Sequence, residues 1–101
     1  MEKFLFFRNI VGDAALIPAR KIVHYKASYI STEISFFLEG PIVGEFDTVT
    51  ISVNTDQVHK VFHSLAEVLN NPSLTFIVIA DDVDKEYLHS DITGVDSISL
   101  S

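Results

Sequence analysis

A chain of 101 residues with a net charge of −7 and no cysteine has room for one domain, and it excludes both a disulfide framework and a thiolate metal centre. The acidity opposes general nucleic-acid binding. The apolar content, 48% of residues with a mean hydropathy of +0.31, is high for so small a domain and predicts that part of it is covered by a partner, in the first place another copy. The four apolar residues before Arg8 are too few for a signal-peptide core, and no run approaches the length of a membrane span, about eighteen residues. The expectation is a protein that is neither secreted nor membrane-bound.

In chain order, Phe4 to Phe7 is apolar at both parities and predicts a buried strand. Asn9 to Asp13 reads as a turn, Ala14 to Ile17 as a short strand, and Pro18 as a bend or edge. Ile22 to Tyr29 predicts a strand with Val23 and Tyr25 on one side and His24 and Lys26 on the other. Glu33 to Leu38 gathers Ile34, Phe36 and Leu38 on one face. A Gly- and Pro-containing loop over Glu39 to Glu45 follows, with Ile42 and Val43 as an apolar tip. Asp47 to Val53 alternates cleanly, with Val49, Ile51 and Val53 inward.

The one helix is predicted from Asn54 to Asn70. Asn54 is its expected N-cap, Gln57 closes a capping box, and Val53 with Val58 forms a staple. Val58, Val61, Phe62, Leu65, Val68 and Leu69 make its apolar stripe. Leu74 to Ala80 is expected as the central strand, buried on both faces, and the acidic step from Asp81 to Glu86 as its exit to water. A loop or short hairpin and a last strand from Ile92 to Leu100 complete the chain. The fold class expected is α+β, mostly β: a strongly curved, mostly antiparallel sheet or small partial barrel with one helix packed on it.

No motif for chemistry stands out. His59, His63 and Glu67 share a helix face but read as a solvated surface. The Asp81 to Glu86 cluster lacks the glycine a calcium loop needs, since Tyr87 stands at the sixth position from Asp82. There is no Gly-x-Ser-x-Gly turn and no Gly-rich phosphate loop, so neither enzymatic activity nor a cofactor is expected. Charge, in contrast, is unevenly placed. Residues 1–26 hold five of the seven basic side chains and net +3, whereas residues 27–101 net −10. The candidate partner-binding residues are therefore Arg8, Arg20, Lys21, His24 and Lys26, together with Ile42 and Val43 at the loop tip. They would serve an ion-pair seam between copies, a head-to-tail ring among the options, or a phosphate backbone.

Phe76–Tyr87 (FIVIADDVDKEY), Asp91–Leu100 (DITGVDSISL) and the opening Lys3–Arg8 (KFLFFR) resemble small proteins encoded by tailed phages of marine bacteria, cyanophages among them. Residues 27–54 depart from that pattern. The resemblance implies a bacterial host cell or virion as the setting and capsid or other virion proteins as partners, and it carries over no functional residue. At the level of fold alone, a bent sheet with one helix is similar to Sm-like barrels, whose members form rings and bind RNA. There the helix precedes the strands, and neither Sm motif occurs here. The resulting expectation is a non-enzymatic, self-associating structural or assembly module, with an Sm-like ring that binds RNA or single-stranded nucleic acid as the alternative.

Overall fold

The computed structural model describes residues 2–11, 13–27, 32–39 and 46–99. The strands are β1 (Phe4–Arg8), β2 (Ala14–Pro18), β3 (Ile22–Ala27), β4 (Glu33–Glu39), β5 (Phe46–Val53), β6 (Phe76–Asp81), β7 (Glu86–Tyr87) and β8 (Ile92–Ser99), and the helix is α1 (Val58–Leu69). Their positions follow the hydrophobic periodicity closely. The fold is mostly β with one helix. The strands form two sheets rather than one, ordered β2-β1-β6-β7 (sheet I) and β3-β4-β5-β8 (sheet II). Neither order closes on itself, so the described strands form no closed barrel.

Sheet II is antiparallel throughout: β3, β4 and β5 follow one another in sequence, and β8 returns beside β5 after α1, β6 and β7. Sheet I departs from the antiparallel expectation: β1 pairs parallel with β6, from which it is separated by most of the chain. The link from β5 through α1 allows this, because it carries the chain out of sheet II and delivers β6 beside β1.

The inner faces supply one core. Leu5, Phe7, Ile17, Ile77 and Ile79 come from sheet I, and Ile34, Phe36, Leu38, Val49, Ile51 and Val53 from sheet II. Phe7 meets Phe36 edge-on across the two sheets, with ring centres 5.0 Å apart, and Tyr25 packs against Phe36 from β3. The helix adds Val58, Val61 and Leu65 to this same core. It thus serves the interior between the sheets and leaves the outer face of sheet I uncovered among the described residues. At one side a 3-10 turn, Ala19–Lys21, carries the chain from sheet I to sheet II. At the other, Asp82 after β6 accepts the Val95 N–H of β8 at 3.0 Å.

Three local expectations are corrected. The helix begins at Val58, with Gln57 at the N-cap and no side-chain cap bond. Asn54 turns away instead, donating its side-chain amide to Asp91 Oδ1 at 3.0 Å and its backbone N–H to Asp91 O. In β3 the register shifts between Ile22 and His24, so Ile22 and Tyr25 face inward while Val23 is half exposed. The bulge inserts one residue and inverts the phase. Finally, β6 is buried on one face only: Ile77 and Ile79 are interior, whereas Phe76 is 56% exposed.

Candidate functional site

The first basic candidate, Arg8, is already engaged. Its Nε and Nη2 donate to Asp81 Oδ1 at 2.8 Å and Oδ2 at 2.7 Å, and Nη2 also meets Asp84 at 3.0 Å. The register shift on β6 makes this pairing available. Strict alternation would turn Asp81 into the core, but the irregularity opposite Phe6 and Phe7 places it beside Arg8 on the outer side. Asp81 Oδ1 further accepts the N–H groups of Val83 and Asp84, which shapes the β6–β7 turn. The Arg8 bonds outweigh the burial of Asp81 and hold its carboxyl down at about 2, while the same contacts raise the Arg8 guanidinium. This pair is structural.

The other basic candidates separate. Arg20 lies in the 3-10 turn and pairs with Glu2 at 2.6 Å, and Lys21 beside it is exposed. His24 and Lys26 lie on the outer face of sheet II, where the His24 ring stacks on Phe37 at 4.5 Å. Their row continues into hydroxyls: Lys26 sits opposite Ser35, whose side chain bonds that of Thr50 at 3.0 Å. Ile42 and Val43, like Tyr29 and Leu100, lie outside the described residues.

Three carboxylates of the acidic cluster, those of Asp81, Asp82 and Asp84, are engaged within the fold. Asp82 Oδ1 accepts the Tyr87 hydroxyl at 2.8 Å, and Oδ2 accepts the Val95 N–H. Burial, with the Asp82 carboxylate behind it, pushes the Tyr87 phenol up and keeps it a donor. On the helix, His63 pairs with Glu67 at 3.0 Å on an exposed face. Among the described residues no group of three or more His, Asp or Glu is placed to hold a metal ion, and no helix is long and apolar enough to cross a membrane. A shallow open depression of about 350 Å³ near the helix start is lined by Asp56, Val58, His59 and Phe62.

A further feature of the fold is the outer face of sheet I. Phe4 and Phe6 of β1, Leu16 of β2, and Phe76 and Val78 of β6 are in register on the outer face of sheet I. None of them packs against the core, and Leu16 and Phe76 are more than half exposed. Phe6 and Phe76 touch with ring centres 5.7 Å apart, and the Arg8 guanidinium caps Phe6 at 5.7 Å. The signal was present: β1 and β6 are apolar at both parities, in a chain whose one helix can cover only one side.

Neither family models, curated proteins nor solved structures give a match to this chain, so its geometry carries the functional reading.

Proposed function

We propose that this chain is a non-enzymatic, self-associating structural or assembly module. The observation that carries the reading is the contiguous apolar outer face of sheet I. Single exposed apolar side chains are ordinary, but here the exposed Leu16 and Phe76 stand in register with the partly buried Phe4, Phe6 and Val78 in one continuous apolar file. Leu16 and Phe76, each just over half exposed, leave on the order of 100 Å² apiece in water. Covering that surface is worth roughly 2.5 kcal/mol for each at about 25 cal/mol per Å². We read the two sheets, linked by the 3-10 turn on one side and by Asp82 on the other, as a strongly curved partial barrel that presents this face outward. The resemblance of both ends of the chain to phage proteins favours a virion or its assembly, with capsid proteins as further partners. Sedimentation velocity from 1 to 100 micromolar (about the range in which weak oligomers form) tests the reading. An oligomer is expected, and a strict monomer throughout overturns it.

A second reading has one observation in its favour. The His24–Phe37 stack beside Lys26, in a row of hydroxyls, offers a stacking surface with an adjacent cation. An Sm-like RNA binder using this face predicts salt-sensitive retention on single-stranded RNA, abolished by Lys26→Glu. Absence of retention at low salt removes that reading.

A further inference from the structure

We infer that the occupant of the open face of sheet I is a second copy of this chain, packed face to face with its strands antiparallel, about a two-fold axis lying in the interface and perpendicular to the strands. This rests on the self-association reading and specifies its surface and symmetry.

Charge selects the partner. Residues 2–21, which contain β1 and β2, hold four basic and two acidic side chains, and residues 74–87, which contain β6 and β7, hold one basic and four acidic. The segments that build sheet I thus net −1 out of −7, and the remaining −6 lies on sheet II, the helix and the other connections. An acidic chain pairs with itself most readily through its near-neutral side, with its acidic parts turned outward.

Charge also selects the orientation. Because β1 and β6 run parallel and β2 opposes them, the starts of β1 and β6 and the end of β2 share one end of the face. That foot bears Lys3, Arg20 and Lys21 with Glu2. The opposite end, the head, bears Asp13, Lys85 and Glu86 beside Arg8, which is paired internally with Asp81 and Asp84, and so stays net acidic. A parallel stacking sets like against like, whereas the antiparallel one sets each foot on the partner's head. Three strands about 4.8 Å apart and about five residues long, with the short β7 at their edge, give a face of roughly 14 by 17 Å. With Ile10 and Val11 exposed in the β1–β2 turn at the head, pairing two such faces comes to on the order of 1,000 Å² in total, at the lower bound of specific dimers. The arrangement is isologous and closes as a dimer instead of propagating as a ring.

Three comparisons in one sedimentation series test this. Leu16→Lys and Phe76→Lys alter exposed positions, so both variants should keep the wild-type circular dichroism and raise the dimer Kd by about thirtyfold or more, the scale of an interface hot spot. Undiminished dimers in both overturn the choice of face. A foot variant (Arg20→Glu with Lys21→Glu) and a head variant (Asp13→Lys with Glu86→Lys) should each weaken the dimer several-fold, and mixing the two should restore it, because both foot-to-head contacts are again of opposite sign. A mixture that stays as weak as its components overturns the antiparallel orientation. A wild-type chain that is itself monomeric overturns the self-association reading beneath both.

Discussion

Asp81 shows how a carboxylate can be nearly buried at the edge of an apolar face. It accepts two bonds from Arg8 and two from backbone N–H groups, so its lone pairs are satisfied. Its folded pKa of about 2 lies below the ordinary 3.8. The stability this supplies is therefore present above the ordinary value and is lost as pH falls through about 2. Thermal melts between pH 2 and 7 (roughly the span of carboxylate titration) should show the midpoint dropping on that acid limb. Asp81→Asn should flatten the limb and cost about 2 kcal/mol at neutral pH, the scale of charge-assisted bonds. Glu33 has the opposite sign: burial first, and then the carboxylate of Asp96, raise it, so its charged form opposes folding once pH exceeds the ordinary 4.5. Glu33→Gln is expected to raise the midpoint at pH 7, a working pH above that value, and to leave it nearly unchanged at low pH. Gly94 answers to sterics. A Cβ there would stand 3.2 Å from Asp82 Oδ1, and Tyr87 and Val95 hold that carboxylate from two sides. Because the carboxylate cannot easily move aside, Gly94→Ala should cost about 1–2 kcal/mol by denaturant titration.

At the scale of elements, β6 divides its roles between alternate side chains. Ile79 is fully buried, so Ile79→Ala should destabilise the monomer by about 2–5 kcal/mol in urea unfolding. Phe76, three residues earlier on the same strand, is expected to contribute little to monomer stability, and Phe76→Ser should leave the unfolding midpoint of a dilute sample within about 0.5 kcal/mol. The start of α1 offers a second contrast. Asn54 has the composition of an N-cap and the spacing to Gln57 of a capping box, yet Asp56 adopts φ 63° and the helix starts only after it. Asn54→Ala should thus spare helix content in circular dichroism and instead loosen the link to Asp91, at a cost of about 1 kcal/mol. The local pattern was right about the existence of the helix. Its first turn was decided by a competing partner in the connection before β8.

For the whole molecule, self-association through the outer face of sheet I would couple stability to concentration. If two copies cover Leu16 and Phe76, the melting temperature should rise with protein concentration in the wild type and be independent of it in Phe76→Lys. Much of this architecture was legible in the sequence. Alternation in Glu33–Leu38 and Asp47–Val53 placed β4 and β5, and the Val58 to Leu69 stripe placed α1, because a period of two or of 3.6 is a local property of the chain. Three things were not legible. Pairing of β1 with β6 joins Arg8 to Asp81 across 73 positions, and no local period encodes such a contact. Register shifts in β3 and β6 invert a phase that the residue types alone would leave unbroken. A strand apolar at both parities, such as Phe4–Phe7, is compatible with a covered face and with an open one. By itself the sequence determined most of the strands and the helix, and its apolar content raised the expectation of an excess left over from the core. Only the tertiary structure decided where the excess lies: a single helix, drawn into the core between two sheets, cannot also shield the far side of sheet I.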